Sequence, residues 1–162
     1  MRSEYANPQL LVSPADLSRE LAHRATAPLL IDLRPAEQFA AGHLPHAVHL
    51  DLFGLSLTDT DPSPLKSFLW IIEHLLATRG VTADRPVVLY ESQSGILAAR
   101  ALWFLEYFGH PHVRVLNGGT KAWTASPTTD RPLAPAACRT RAVSSSLLVR
   151  SPRQPRATTE RR

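Results

Sequence analysis

The chain of 162 residues is 44% apolar, has a single cysteine and carries a net charge of +4, enough length and apolar content for one domain with a real core. It has no run of about 18 apolar residues, and its first residues lack the apolar stretch and small-residue cleavage site of a secretory signal, so neither a membrane-spanning helix nor export is expected. One cysteine cannot close an internal disulfide, which fits a reducing, cytoplasmic setting.

Taken in chain order, the first clear signal is Ser13-Pro14, an N-cap followed by proline at the first helical position. Leu29–Leu33 and Ala47–Leu50 are short apolar runs suited to strands buried on both faces. Ser63-Pro64 repeats the cap-and-proline arrangement ahead of an apolar stripe of Leu65, Phe68, Leu69, Ile72, Leu75 and Leu76, with Gly80 as the C-cap. A third strand is expected at Val87–Tyr90. The following helix stacks Ala98, Ala101, Leu102, Leu105 and Phe108 on one face and stops at Gly109. A fourth strand, Val113–Leu116, leads to turn glycines at Gly118-Gly119. Strands alternating with helices imply an α/β fold, a mostly parallel central sheet flanked by helices, with the site at the carboxyl ends of the strands.

Near residue 124 the composition changes abruptly. Residues 127–162 are rich in Pro, Ser, Thr, Ala and Arg, and only Ser146–Arg150 is briefly strand-like, so a disordered C-terminal tail is expected. The basic charge belongs to this tail. Residues 1–130 hold ten Lys+Arg against 13 Asp+Glu, whereas residues 131–162 hold eight Arg against Glu160 alone. A basic arm can contact phosphates nonspecifically, but this one has no aromatic interleaving, amphipathic period or recognition motif, so neither nucleic acid nor membrane is an expected partner. Its use of Arg to the exclusion of Lys also suits out-of-frame translation of a GC-rich gene. Resequencing from the Trp123 codon would test that hypothesis.

The Val87–Tyr90 strand ends in a tight turn, Glu91, Ser92, Gln93, Ser94, Gly95 and Ile96, that opens a helix, the place where α/β proteins often carry a nucleophile or cradle an anion. Glu91 opens the turn, and the cysteine lies far away at Cys138. Arg139 and Arg141 beside Cys138 would lower a thiol pKa, yet no strand precedes it, no glycine permits a tight loop and no amphipathic helix follows, so it reads as an incidental thiol. Asp32 and Arg34, with Glu37 three residues on, read as an internal ion pair past a strand end. His43, His46 and His49 recur at threes, but a proline-containing turn and a strand would scatter them. His43 is expected to bond backbone, and neither a metal nor a cofactor is expected.

Two segments carry a resemblance. "LLIDLRPAEQFAAGHLPHAVHLDL" and "VVLYESQSGILAARALWFLEYFGHPHVRVLNGGTKAW" resemble the rhodanese-like domain family over about residues 9–126, in the order Asp-x-Arg, Gly-His-Leu-Pro turn, active-loop strand and helix, and Gly-Gly-x-x-Ala-Trp turn. "LSLTDTDPSPLKSFLWIIEHLLATRGV" further resembles the first half of two-domain thiosulfate or 3-mercaptopyruvate sulfurtransferases. The resemblance implies a rhodanese-like domain at 9–126 and a loop at 91–96 that, in catalytic copies, opens with a persulfide-forming cysteine. In two-domain relatives the N-terminal copy usually carries an acidic residue there and does no chemistry, a pattern that Glu91 matches. The implied function is structural or regulatory beside a catalytic rhodanese domain or other protein partner. The alternative is that the chain is part of an active sulfurtransferase whose cysteine domain lies outside it. Glu91 as a general base is disfavoured, because a helix N-terminus stabilises the charged carboxylate; the acid is expected to occupy the loop's N–H bowl itself. One departure concerns the turn: the family usually has glycine after the proline, and this chain has His46.

Overall fold

Among the described residues five short strands, Leu11–Val12, Val113–Leu116, Val87–Tyr90, Leu29–Asp32 and Val48–His49 in spatial order, make one sheet, each in parallel register with its neighbours. The structure, a computed structural model, describes residues 6–52, 54–93, 95–126 and Leu133. The elements are β1 (Leu11–Val12), α1 (Pro14–Ala22), β2 (Leu29–Asp32), α2 (Ala36–Ala41), β3 (Val48–His49), α3 (Pro62–Thr78), β4 (Val87–Tyr90), α4 (Ile96–Tyr107), β5 (Val113–Leu116) and α5 (Gly119–Ala125). Parallel neighbours cannot be joined by tight hairpins, so the connections cross over the sheet and place helices on both of its faces.

That arrangement explains the strand sequences. Every residue of β2 and β4 is buried, because side chains of both parities meet a helical layer. Leu29, Ile31, Val87, Leu89, Val113 and Val115 point to one side and pack with Ile72 and Leu76 of α3 and Ala98, Ala101, Phe104 and Leu105 of α4. Leu30, Val88, Tyr90 and Leu116 point to the other and pack with Leu17 and Leu21 of α1 and Trp123 of α5. Each fully buried aliphatic side chain contributes roughly 1.5–3 kcal/mol, so the two layers together drive folding. Leu133 is half-buried against the second cluster. The remainder of the expected tail, with Cys138 and Ser146–Arg150, lies outside the described residues.

The expected strands are present but shorter at two sites: Leu33 falls outside β2, and β3 shrinks to Val48–His49. Ser13 caps α1 as expected, its Oγ accepting the Asp16 N–H at 3.2 Å. Ser63 does not cap α3. That helix begins one residue earlier, at Pro62 after Asp61, with no side-chain cap. Pro62 and Pro64 have no N–H to satisfy, which removes two of the four donors a cap would serve. Ser63 instead gives its carbonyl to the Ser67 hydroxyl at 3.1 Å. At the other end Gly80, with φ of 84°, closes the helix as expected: its N–H reaches Ala77 O at 2.9 Å and the Val81 N–H reaches Leu76 O at 3.2 Å.

Two stripes are corrected. On α4 the buried aromatic is Phe104, which meets Phe68 of α3 at 6.0 Å between ring centres, while Leu102 and Phe108 are half-buried at the edges. On α3 only Ile72 and Leu76 are fully buried. Strand β1 and helix α5 carried no sequence expectation. The two residues of β1 extend the sheet through a single neighbour, β5, and such a pair is too short for a periodic signal.

Candidate functional site

The carboxyl end of β4 delivers the chain into the turn singled out by sequence. Glu91 is half-buried, and its Oε1 accepts the Ala98 N–H at 3.0 Å. Ala98 is the third residue of α4, so this N–H is one of the donors that a helix leaves without an intrahelical partner. The carboxylate thus occupies the amino terminus of α4, where partial positive charge favours an anion. Ser92, Gln93, Gly95 and Ile96 are exposed, and Ile96 is 85% so; Ser94 lies outside the described residues. The Ser92 hydroxyl donates to Gln38 Oε1 of α2 at 3.2 Å.

The turn is held from below by α5. The Thr120 N–H donates to Glu91 O at 2.9 Å and the Lys121 N–H to Ser92 O at 3.2 Å. This docking needs glycine at position 119: a Cβ there would collide with the Glu91 carbonyl oxygen and come within 2.8 Å of the Ser92 carbonyl carbon. Gly119, at φ of 56°, therefore positions the loop as well as turning the chain. Sequence reading saw only a turn here, because close approach of two distant backbone segments leaves no local pattern.

Asp32 and Arg34 form the expected buried pair. Arg34 Nη2 lies 2.6 Å from Asp32 Oδ2 and Nε lies 3.0 Å from Oδ1, and a further bond from Nη2 reaches Gly42 O at 2.7 Å. Burial opposes the Arg34 charge, but the Asp32 carboxylate more than offsets this and holds the guanidinium above its ordinary pKa. Glu37 is exposed and takes no part. Beside the pair lies Tyr90, its ring 5.9 Å from the Arg34 guanidinium carbon and its hydroxyl accepting the Leu44 N–H at 3.1 Å. Burial, with the nearby Asp32 charge, pushes the Tyr90 phenol far above its ordinary pKa. Asp32, Arg34 and Tyr90 are thus a brace that ties β2 and β4 to the Gly42–Leu44 turn.

The three histidines separate. His43 is buried, stacks on Phe39 at 4.0 Å and contacts Phe39 O at 3.2 Å, which is the backbone bond expected of it. His49 reaches Arg34 O at 2.8 Å, and His46 points outward in the turn between them. Among the described residues no three His, Cys, Asp or Glu side chains are placed to hold a metal. No helix of the described residues is long and apolar enough to cross a membrane. Chemically, the turn presents a carboxylate engaged with a helix N–H and flanked by an exposed hydroxyl and amide. The described part of the turn has no thiol.

Comparison with known proteins agrees with this geometry. The family model for the rhodanese-like domain matches residues 13–126. A thiosulfate sulfurtransferase of Azotobacter vinelandii is 32% identical over 130 residues, which is 80% of this chain and 46% of that protein. Another from Corynebacterium glutamicum is 38% identical over 128 residues, covering 75% of this chain and 40% of that one. Among solved structures, SseA from Escherichia coli, a 3-mercaptopyruvate sulfotransferase with the rhodanese fold, superposes with a TM-score of 0.57 at 25% identity, covering 79% of this chain and 51% of that one. The chain spans less than half the length of the two sulfurtransferases and matches about half of SseA.

Proposed function

We propose, for a chain that belongs to the rhodanese-like domain family, that this domain carries out no sulfur transfer by itself and acts as the structural or regulatory half beside a cysteine-bearing catalytic domain. The observation that carries the reading is Glu91 at the head of the β4–α4 turn with its carboxylate on the Ala98 N–H. Sulfane transfer needs a thiolate that attacks the outer sulfur of a donor, keeps it as a persulfide and yields it to an acceptor. A carboxylate forms no persulfide, and the hydroxyl of Ser92 is no substitute. The anion-stabilising end of α4 is already engaged by the residue that replaced the nucleophile.

The outer face of α4 supports a partner domain. Ile96, Trp103 and Tyr107 recur at spacings of seven and four and so share one side of the helix, opposite the buried Ala101 and Leu105. Trp103 and Tyr107 are 55% and 53% exposed, and Trp70 of α3 is 61% exposed. Each of these rings shows on the order of 100 Å² to solvent. A helix apolar on both sides belongs under cover. The alternative reading, that the chain is part of an active thiosulfate or 3-mercaptopyruvate sulfurtransferase, draws on the fraction of the relatives that it spans. The two are compatible if the cysteine lies in the partner domain, and a cytoplasmic setting suits both.

The test is thiocyanate formation from cyanide with thiosulfate or 3-mercaptopyruvate. The chain alone is expected to give no turnover above the blank, and Glu91→Cys to restore little, because "ESQSGI" lacks the arginines of active loops. Robust turnover by the unaltered chain sinks the proposal.

A further inference from the structure

At the opposite end of the sheet, where the strands begin, the surface carries a concavity of about 210 Å³ that plays no part in the β4–α4 turn. Pro28 immediately precedes β2 and Arg85 lies two residues before β4, which fixes the position. Apolar side chains of the second core cluster, among them Leu21 and Leu30, contribute to its wall. Among the described residues its charged and imidazole lining is Arg24, Arg85 and His46, with no carboxylate.

Those three side chains are available. Arg24 and His46 make no hydrogen bond or ion pair among the described residues. Among the described residues the Arg85 side chain gives two long bonds, from Nε to Ala27 O and from Nη2 to Pro28 O, each 3.4 Å, which aim the guanidinium and engage two of its five N–H donors. His46 is the sole non-glycine among the described residues with positive φ, at 64°. Side chains other than glycine resist that conformation, and strain of this kind concentrates at ligand-binding positions. Here it places an imidazole, rather than the glycine of the family pattern, at the edge of a basic pocket.

We propose that this concavity binds a compact phosphate monoester, the phosphate held by Arg24, Arg85 and His46 and the ester group against the apolar wall. Two guanidinium forks and an imidazole supply N–H donors suited to a tetrahedral oxyanion. The volume lies below the usual range of about 300–1,000 Å³ for ligand pockets, which selects a small molecule. The competing role for Arg24 is to sit near the carboxyl end of α1 and favour its exposed carbonyls.

The experiment is an amide-shift titration of the full chain by NMR, at constant ionic strength, with phenyl phosphate and with inorganic phosphate. Saturable shifts are expected at Ala27, Leu30, His46 and Ala47 with phenyl phosphate, at a Kd of about 1 mM or below. Inorganic phosphate, lacking the apolar group, should bind several-fold more weakly. Arg24→Gln should weaken phenyl phosphate about tenfold with an unchanged melting temperature. No saturation, equal binding to Arg24→Gln, or shifts confined to residues 91–96 would each overturn the site. A lower melting temperature for Arg24→Gln with phenyl phosphate shifts unchanged from those of the unaltered chain would assign Arg24 to α1 alone and overturn its part in the site. Because the readout is binding at the strand amino ends, it is independent of whether the domain transfers sulfur.

Discussion

Two turns at opposite ends of the sheet, one opening with Glu91 and one containing His46, hold their unusual residues by different physics. After β4, Glu91 stands where the family resemblance implies the cysteine of catalytic copies, and its carboxylate meets a helix N–H that would otherwise lack an intrahelical partner. Before β3, His46 stands where the family resemblance implies glycine, and the backbone keeps a glycine-like φ of 64° with no hydrogen bond from the imidazole among the described residues. The first replacement is satisfied locally; the second is strained. In both, the backbone path is set by surroundings that do not depend on the replaced residue. Helix α5 holds the Glu91 turn through Thr120 and Lys121, and the Asp32–Arg34 pair and Tyr90 hold the Gly42–Leu44 segment that leads into His46.

The comparison can be broken at the brace. Asp32→Ala leaves the buried Arg34 charge unpaired and loosens its bond to Gly42 O, so a loss of roughly 3–5 kcal/mol in urea unfolding is expected. A loss below about 1 kcal/mol would mean that the turn before β3 is held by something other than this pair. At the satisfied turn, Glu91→Ala removes the acceptor of the Ala98 N–H and should lower stability by about 1 kcal/mol, whereas Glu91→Gln, which keeps an oxygen, should lose less. Equal losses for the two would show that the contact is not a cap. The smallest effect is expected at the strained turn. His46→Gly relieves the positive-φ penalty but loosens the unfolded chain, for a net gain of at most about 1 kcal/mol. A destabilised glycine variant would remove strain from the account of this turn, and the same protein should bind phenyl phosphate more weakly.

Much of the fold was legible because its signals are local. Apolar runs such as Val87–Tyr90, proline at Pro14 and glycine at Gly80 report strand burial, helix entry and helix exit within a few residues of sequence. The candidate turn was legible for the same reason, as a strand followed by a glycine-containing bend and a helix. Ser63 misled because a cap-like residue before proline has the same local pattern whether or not the helix has already begun at Pro62. The α4 stripe was misread at Phe104, whose burial depends on Phe68 of another helix.

The sequence by itself determined the strand–helix alternation, the resemblance to the rhodanese-like family, the acidic residue at the head of the turn and the pairing of Asp32 with Arg34. These rest on contacts within a few positions along the chain or on motifs read in order. The tertiary structure alone decided that Ala98 supplies the N–H expected for Glu91, that Gly119 gives the loop room, that His46 is strained, and that Arg24, His46 and Arg85 share one concavity. Apart from the Glu91 cap, which closes within the turn itself, these features join or depend on segments far apart in the chain. Parallel strand pairing brings such segments together, and a one-dimensional pattern does not record it.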